Sequence, residues 1–292
     1  MELKGSKTEE HLQKAFNREL HVQARYLYYA SVAKEAGLEQ AGDIFLVIAE
    51  NEAEHARHEF KFLGGAGDTG TSLNQAITFE QEDASKLYPR AAEVAEQEGF
   101  REIAELFQRM AKVEAKHEKN FTELQESLAK GKDFPGRTVG HSATEMAQLM
   151  LPHQANPAGF VHGGEMMKLM DNAAGVVAVR HCRTNVVTAT VEDIRFRSPI
   201  RVGDLVIVRG RLIFVSRSSM EVQIEVETEN LLTGQRIPAL TAHFVMVALD
   251  MGGKTVAVPP LILMTEEEER LHNEASARYE TRKAKSERSF SS

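Results

Sequence analysis

The chain has 292 residues, of which 42% are hydrophobic and 27% charged, and its net charge is −8. These values are typical of a soluble globular protein long enough for two ordinary domains. No stretch offers the roughly 20 apolar residues of a membrane span, and the N-terminus lacks a signal-peptide core, so we expect a cytoplasmic protein with no membrane partner. The single cysteine, Cys182, excludes an intrachain disulfide and Cys-rich zinc or rubredoxin-type iron sites.

The charge is unevenly distributed along the chain. The first 132 residues contain 17 basic and 24 acidic side chains, a net charge of −7, whereas the remainder contains 18 and 19, a net charge of −1. The acidic half is better suited to cations than to phosphates, and the more balanced half tolerates anionic ligands. Neither half has the strongly basic composition of a nucleic-acid-binding protein.

Apolar residues recur at helical spacing through most of the first half. They predict four helices, near residues 7–36, 39–63, 73–98 and 100–130, separated by short breaks. Such a succession favours an antiparallel four-helix bundle over residues 1–130. Residues 131–142 are rich in Gly and Pro, which predicts a linker.

The second half has a different pattern, which predicts an α+β domain over residues 143–264. One apolar helix, Met166–His181, precedes several Val/Ile-rich strands separated by turns, and we expect about five antiparallel strands. Thr265 and Glu268 form a capping box, so residues 265–292 are predicted to begin with a surface helix that extends to about Lys285. The predicted strands are Asn185–Arg197, Asp204–Val215, Met220–Glu229 and Ala239–Leu249.

Acidic residues and histidines interrupt the apolar faces of all four helices of the first half. A carboxylate in a bundle core costs several kcal/mol unless it is neutralised. Glu-x-x-His occurs twice, and residues i and i+3 lie on one helix face, so each pair can present an oxygen and a nitrogen to one ion. One such motif alone would be read as solvated charge, but the set favours a di-iron or di-manganese bundle. Its members are Glu19, Glu52, His55, Glu80, Asp83, Glu114 and His117.

Residues 4–126 resemble the ferritin-like domain of rubrerythrin, through KGSKTEE, AENEAEHA around Glu52 and YPRAAEVAEQEGF from Tyr88. The resemblance implies that the seven residues above bind two irons and that Tyr26 lies near them. Asp83 stands where the family normally has Glu, which puts the ligation of one iron in doubt. Because the four cysteines of a rubredoxin domain are absent, peroxide reduction would need an external, rubredoxin-like electron donor. Iron storage or oxidation is the alternative.

Residues 151–171 contain the densest chemistry of the second half. His162, Gly163 and Gly164 begin a helix whose first N–H groups lack intrahelical partners, so they can hold a carbonyl oxygen as it gains charge. Asp171, about two turns further on, could act as a general base on water or as a nucleophile. Asn156 is suited to orienting the water or the carbonyl. A simple turn, an exposed Asp and a turn Asn are the alternative interpretations.

Residues 143–285 resemble the hotdog-fold acyl-CoA hydrolases of the bacterial and brain-type group. The motif AN-x-x-G-x-x-HGG-x-x-MK-x-MD-x-AAG runs from residue 155 to 175, and Val187-Thr-Ala189 and a terminal RYETRKAKSE also match. The resemblance implies a helix wrapped by an antiparallel sheet. It also implies homodimers, or hexamers, in which Asn156 of one protomer faces Asp171 of the other. The candidates for holding CoA are Arg180, His181, Arg217, Ser218 and Ser219.

The function predicted from sequence is therefore an acyl-CoA thioesterase fused to a di-iron domain with possible peroxidase activity. No G-x-S-x-G is present, so a serine-hydrolase mechanism is not supported. The first alternative is a peroxide-reducing or iron-handling protein whose hotdog half is a binding or dimerisation module. The second is a bundle that binds no metal and only mediates assembly.

Overall fold

The computed structural model describes residues 3–65, 67–131 and 136–289, with side chains up to residue 284. The chain divides into two compact units, residues 1–125 and 126–292. The first is helical and the second combines an antiparallel sheet with helices, so both predicted fold classes are confirmed. None of the helices in the described ranges has the length and apolarity needed to cross a membrane.

Local capping marks both ends of the first helix. Ser6 accepts a hydrogen bond from Glu9 N at 3.2 Å, while the Glu9 carboxylate accepts one from Gly5 N at 2.5 Å. The first helix ends before Gly37, whose φ of +76° suits glycine. The helices are α1 Lys7–Glu35, α2 Glu39–Phe62, α3 Thr69–Glu82, α4 Tyr88–Gln97 and α5 Arg101–Ala129, with a π-helical turn, Asp83–Leu87, between α3 and α4.

The third predicted helix differs from the expectation at two points. It begins at Thr69, four residues early, because Asp68 caps it by accepting a hydrogen bond from Thr71 N at 2.7 Å. It also widens into the π-helical turn just before Pro89. Proline has no N–H, and its ring clashes with the carbonyl four residues earlier in a regular α-helix, so a wider turn here accommodates it.

The five helices form two hairpins. The first hairpin is α1 with α2, where buried Ala30, Ala33, Gly42 and Ala49 allow a close approach. The second hairpin is α3 and α4 with α5, joined by the stacked rings of Tyr88 and Phe107, 6.1 Å apart, and by a 2.7 Å hydrogen bond from Gln125 to Asn74.

The second unit is built around one long helix. Its elements are β1 Arg137–Thr138, α6 Val139–Ser142, β2 Thr144–Leu149, α7 Gly163–Cys182, β3 Asn185–Phe196, β4 Leu205–Val215, β5 Ser219–Glu229, β6 Arg236–Leu249, β7 Leu261–Ile262 and α8 Glu266–Ser289. A five-stranded antiparallel sheet has the strand order β2-β4-β5-β6-β3. The helix α7 packs on this sheet and passes close to Gly210, where an added Cβ would lie 3.0 Å from Val177 Cγ2.

The core of this unit lies between α7 and the sheet. It includes fully buried Met170, Val177, Leu212 and Phe244. On a second surface, Leu271 and Ala275 of α8 pack with Ile213 and Phe214. The strand β3 is an edge of the sheet, and two irregularities interrupt its pairing with β6.

The predicted elements of the second unit are confirmed with small changes at their ends, and two features were not predicted. The strand β2 was missed because it alternates poorly between apolar and polar residues. Within the predicted linker, residues 137–142 are ordered instead, because β1 pairs in parallel with β7 and Thr138 caps α6. Residues 132–135 of that linker lie outside the described residues. The predicted cap of α8 by Thr265 is confirmed, since Glu268 N donates to Thr265 Oγ1 at 3.2 Å. The Glu268 carboxylate accepts its bond from the preceding residue, Met264 N, at 2.6 Å.

Candidate active site and metal centre

The entrance of α7 is organised by His162. This residue is the N-cap, and its Nδ1 accepts a hydrogen bond from Gly164 N at 3.0 Å. The ring must therefore carry its proton on Nε2 when neutral. Gly164 N, one of the N–H groups predicted to hold the substrate carbonyl, is thus bonded to the cap. Gly163 N lies in the first turn of α7, where helical N–H groups have no intrahelical acceptor, so this group can donate to a ligand.

Asp171 lies on the exposed face of α7, next to the buried Met170. Its Oδ1 accepts a hydrogen bond of 2.5 Å from the Thr188 hydroxyl on β3. The interruption of the β3–β6 register between Thr188 and Thr190 occurs at this point. Asp171 also borders a groove of about 450 Å³ along α7, whose lining includes Asn172, Gly175, Val176, Val179 and Arg180.

Sequence reasoning missed Thr188 as a site residue. The only available signal was its place in Val187-Thr-Ala189, a segment that carried the resemblance without suggesting a role. Threonine is common in strands, so its type alone does not single it out. The contact with Asp171 depends on β3 lying beside α7.

Asn156 lies in the loop that precedes α7. Its side-chain oxygen accepts hydrogen bonds from Ala158 N at 2.9 Å and Phe160 N at 3.2 Å. The oxygen therefore stabilises the turn, while the side-chain NH₂ group remains the part that can donate to a ligand. Among the described residues of one chain, the hydrogen bonds of the Asn156 side chain stay within its own loop and that of Asp171 goes to Thr188.

The residues predicted to hold CoA fall into two groups. Arg180 donates to Ala143 O at 2.9 Å and to the Thr144 hydroxyl, which ties α7 to the start of β2. The other group, Arg217, Ser218 and Ser219, lies at the turn between β4 and β5, where Ser219 Oγ lies 2.7 Å from Ser216 Oγ. Arg217 is exposed there.

His181 has no exposed surface, and this is a correction to its predicted contact with CoA. Its Nε2 lies 2.9 Å from Pro259 O, and its Nδ1 is buried without a hydrogen-bond partner among the described residues. Burial lowers the pKa of this imidazole, which keeps it neutral. The position gives His181 a packing role instead.

The predicted metal ligands form two clusters, one on each hairpin. The first half-site is Glu19, Glu52 and His55, and the second half-site is Glu80, Glu114 and His117; within each, one ligand atom per residue lies within 4.8 Å of the others. His55 Nδ1 is 3.0 Å from Glu52, and His117 Nδ1 is 2.7 Å from Glu114. Both Glu-x-x-His motifs thus bring an oxygen and a nitrogen together, as predicted. Asp83 belongs to neither cluster and lies in the π-helical turn.

The electrostatics of both half-sites suit a cation. A hydrogen bond with Glu52 raises the pKa of Glu19, and burial followed by a hydrogen bond with Glu114 raises the pKa of Glu80. Adjacent carboxylates repel unless a proton or a cation lies between them. Glu59, which was not predicted, also raises the pKa of Glu19, and its Oε2 is buried without a partner in the described part of the chain. Several carboxylate oxygens together with an imidazole nitrogen are ligands suited to iron or manganese.

Comparison with known proteins gives two families. The family model described as Rubrerythrin matches residues 10–70 and 71–167, more than half of the chain. The chain belongs to the rubrerythrin family. A rubrerythrin of Porphyromonas gingivalis is 43% identical over 145 residues, which cover 45% of this chain and 72% of that relative.

The second unit belongs to the acyl-CoA thioester hydrolases. The Thioesterase superfamily model matches residues 158–234. A Bacillus subtilis protein named as an uncharacterized acyl-CoA thioester hydrolase is 40% identical over 46% of this chain and 78% of its own length. The human cytosolic acyl coenzyme A thioester hydrolase is 41% identical over 51% of this chain, which spans only 40% of that enzyme. A solved apo-hexameric acyl-CoA thioesterase is 37% identical with a TM-score of 0.50, covering 52% of this chain and 97% of its own.

A further group of solved relatives bears on the residues around Asp171. The acyl-CoA hydrolase of Staphylococcus aureus, solved with butyryl coenzyme A and coenzyme A, is 27% identical with a TM-score of 0.50 over 54% of this chain and 96% of its own. It was also solved with alanine in place of an Asp, an Asn or a Thr. The intervals between those three positions equal the intervals between Asn156, Asp171 and Thr188.

Proposed function

We propose that the second unit hydrolyses acyl-CoA thioesters and that Asp171 is its catalytic residue. The observation that carries this proposal is the hydrogen bond from the Thr188 hydroxyl to Asp171 Oδ1 on the exposed face of α7. Because Thr188 holds one oxygen, the other is left to act on water or on the substrate. The matching intervals to the substituted Asn, Asp and Thr of the S. aureus hydrolase support the same assignment.

The reaction then follows from the groups around Asp171. As general base, the carboxylate takes a proton from water, the water oxygen attacks the thioester carbonyl carbon, and the C–S bond breaks to release the CoA thiolate and the acid. Direct attack by the carboxylate is the nucleophilic alternative. Gly163 N can donate to the carbonyl oxygen as it gains charge. The NH₂ group of Asn156 can orient the water or the carbonyl.

We propose that two protomers build each site. Three exposed apolar residues lie near Asp171: Val176 and Val179 follow it on α7, and Val187 precedes Thr188 on β3. A second protomer would cover them. Asn156 of the partner subunit would then face Asp171. A hexameric relative supports assembly through this domain. Arg217, Ser218, Ser219 and Arg180 remain the proposed contacts to CoA, with His162, Gly163 and Gly164 at the carbonyl.

A panel of acyl-CoAs from short to long chain tests the hydrolase assignment. Thiol release by the purified full chain is expected to peak at one chain length, which is set by the depth of the acyl pocket. If no acyl-CoA of any length is hydrolysed, the second unit is a binding or dimerisation module. The iron-handling activity of the first unit would then be the main function.

For the first unit we propose a di-iron centre that reduces peroxide, or alternatively stores or oxidises iron. Glu19, Glu52, His55, Glu80, Glu114 and His117 would hold the ions, and the shorter Asp83 would contribute where the family has Glu. Bound iron would supply the redox chemistry, with electrons from an external, rubredoxin-like protein. Elemental analysis should find about two iron or manganese ions per chain. Well under one would favour a purely structural bundle.

We further propose a functional boundary in residues 131–142, between a di-iron domain over 1–130 and a hotdog domain over 143–264, with residues 265–292 as a C-terminal helix and tail. The mammalian relatives are named cytosolic enzymes, which supports a cytoplasmic location. No nucleic-acid or membrane partner is proposed. Joining the two units in one chain would bring thioester hydrolysis and peroxide or iron chemistry to the same place.

A further inference from the structure

Two phenylalanine rings of the hotdog unit are exposed near the start of α7. The structure describes four phenylalanines in this unit, and two of them, Phe214 and Phe244, are buried. The other two are Phe160, which is 37% exposed and lies two residues before the cap His162, and Phe196, which is 59% exposed and ends β3. A single exposed ring is ordinary on a protein surface, so the position of each ring decides what it means.

The ring of Phe196 lies against the first turn of α7. A Cβ added to Gly163 would be 3.5 Å from Phe196 Cζ and 3.7 Å from Phe196 Cε1, which is ordinary van der Waals contact. A Cβ added to the next residue, Gly164, would instead be 3.2 Å from Nδ1 of the His162 ring. The tip of the Phe196 ring therefore borders the space that Gly163 leaves open by having no side chain.

The strand β3 directs Phe196 toward α7, as it does Thr188. On β6, Leu240 pairs with Phe196 and Met246 pairs with Thr188. Both partners belong to the core between α7 and the sheet, and paired residues of antiparallel strands project from the same face. Two irregularities lie between Thr188 and Phe196, and each adds one residue to β3. Because each shifts the alternation by one position, the two together leave both side chains on the face toward the helix.

These two side chains of β3 meet α7 at the two positions that have proposed roles in hydrolysis. Thr188 donates to Asp171, and Phe196 borders Gly163, whose N–H is the proposed donor to the thioester carbonyl. Gly163 and Asp171 are eight residues apart, which is about 12 Å along the helix axis and too far for both to act on one carbonyl carbon. Gly163 and Phe196 of one protomer therefore act with Asp171 of the partner subunit, in line with the proposed two-protomer site.

The chemistry of the thioester decides which of its parts suits the phenyl ring. A carbonyl oxygen that accepts a hydrogen bond from Gly163 N lies about 3 Å from that nitrogen, so the groups attached to the carbonyl carbon come close to the ring. On the sulfur side, the pantetheine arm has an amide nitrogen at the third atom, and an amide against a phenyl ring loses water without gaining a hydrogen bond. The acyl chain is apolar from its first carbon. The ring is therefore better suited to the acyl side.

We propose that Phe196 determines substrate specificity, because its ring restricts the site to acyl groups that have no branch on the carbon next to the carbonyl. This inference rests on the proposed hydrolase function. A straight chain has two hydrogens on that carbon and fits beside the ring, whereas a methyl group in place of one hydrogen meets the ring. Gly163 belongs to the same arrangement, since a side chain there would fill the space that the substrate needs.

Three isomeric substrates test the role of the ring in the full chain. Pentanoyl-CoA is unbranched, 2-methylbutanoyl-CoA is branched next to the carbonyl, and 3-methylbutanoyl-CoA is branched one carbon further on. A methyl group in an apolar pocket changes kcat/KM by about 10- to 200-fold, so Phe196→Ala should raise the ratio of 2-methyl to unbranched turnover by about 10-fold or more. The ratio of 3-methyl to unbranched turnover should not change. If the wild type prefers a longer chain, the same three isomers are used at that length.

Phe160→Ala is the matched control. It removes the same ring near the same end of α7, but Phe160 has no atom within 4 Å of the Cβ position of Gly163. The ratio of 2-methyl to unbranched turnover should therefore equal that of the wild type. Size-exclusion chromatography compares the assembly of both variants, and loss of assembly in Phe196→Ala would overturn the proposal, since a neighbouring protomer would then cover the ring. If the alanine variant does not fold, Phe196→Leu, which should give an intermediate ratio, decides the question.

Gly163→Ala tests the same space from the side of the helix. The variant keeps the backbone N–H, and its methyl group would lie 3.5 Å from Phe196 Cζ. It should lower kcat/KM for the unbranched substrate in the wild-type background and lower it by a smaller factor in Phe196→Ala, where the missing ring leaves room. Equal factors in the two backgrounds would show that the ring and Gly163 do not enclose one subsite.

The outcomes separate this inference from the function on which it rests. If the wild type hydrolyses no acyl-CoA of any length, the hydrolase assignment fails. If the wild type and Phe196→Ala hydrolyse the isomers with the same ratios, the hydrolase assignment stands and the role of the ring is overturned. A gain for the 2-methyl isomer in Phe196→Ala, without a gain in Phe160→Ala, supports the inference.

Discussion

The two units of this chain differ in what a single copy can bury. The hotdog unit encloses large side chains such as Phe244, Met170 and Leu212, whereas the helical unit encloses mostly alanine and leaves Phe62 and Phe79 exposed. The sheet wrapped around α7 encloses a continuous core of large side chains within one chain. The described residues of the helical unit bury mainly alanine, so its helices are held by close approach and by ring contacts more than by a core of large side chains.

The largest expected effect on stability concerns the ion-pair network that holds α8 to the hotdog sheet. Glu221 is 1% exposed and accepts hydrogen bonds from Arg278 at 2.8 Å and Arg282 at 2.7 Å. Replacing both arginines with Met leaves a buried charge uncompensated and should lower the free energy of unfolding by about 3–5 kcal/mol. Urea unfolding of the full chain, followed through the hotdog transition, measures this.

Two further variants sharpen that prediction. Adding Glu221→Met to the double variant removes the buried charge and should restore much of the stability. Arg270→Met breaks ion pairs to Glu267 and Glu274 that lie on the exposed surface of the same helix and should leave the unfolding midpoint unchanged. A double variant as stable as the wild type would contradict the role given to the network.

The next effect concerns the orientation of Asp171. Thr188→Val keeps the shape of the side chain but removes the hydroxyl that donates to the carboxylate. A hydrogen bond to a charged group contributes about 1.5–3 kcal/mol, so kcat/KM for acyl-CoA hydrolysis should fall about 10- to 100-fold. Thr188→Ser keeps the hydroxyl and should recover most of the rate. Equal rates for Val and Ser would mean that the bond does not position Asp171.

A smaller effect tests the independence of the two units. Ala49 is 1% exposed between α1 and α2, and Ala49→Leu should destabilise the first hairpin by about 1–3 kcal/mol through overpacking. Iron content should fall, while thioester hydrolysis should be unchanged. Asn51→Leu places the same side chain on the exposed side of α2 and is the control. Parallel loss of hydrolysis in Ala49→Leu alone would show that the units are coupled.

The smallest effect is a pH dependence confined to the hotdog unit. Burial lowers the pKa of His181 below its ordinary value of 6.5, so below that pH the unfolded chain binds a proton that the folded chain does not. Stability should therefore fall as pH drops through 6.5 and level off below the lowered pKa, with a slope of at most about 1.4 kcal/mol per pH unit. His181→Gln should reduce this slope without abolishing it, because burial also lowers the pKa of His243, and the exposed His153→Gln should leave the slope unchanged.

Sequence pattern predicted most of the hotdog unit because its strands are rich in Val and Ile and its helix follows a distinctive motif. The ends of β3 and β4 were placed within one residue. The strand β2 was missed because its short, half-polar segment carries little periodic signal. Its place at the sheet edge depends on pairing with β4, a contact that is distant in sequence.

Site residues that lie on the same helix could be predicted from the sequence. Site residues that contact each other from two different helices or strands were harder to predict. Glu52 with His55 and Glu114 with His117 follow from i, i+3 spacing on a single helix. Thr188 was missed because its partner Asp171 lies on another element. Helical periodicity identified the inward faces of the hairpins, but it does not specify which faces meet, so the separation of the two half-sites was not predicted.

The most direct test of the account compares thiol release from the preferred acyl-CoA by the wild-type chain and by Asp171→Asn. The amide keeps the size of the side chain but can neither accept the proton of water nor attack as a carboxylate, so kcat should fall by about 100- to 10,000-fold. Thioester hydrolysis that persists at the wild-type rate in Asp171→Asn would contradict the assignment of the active site.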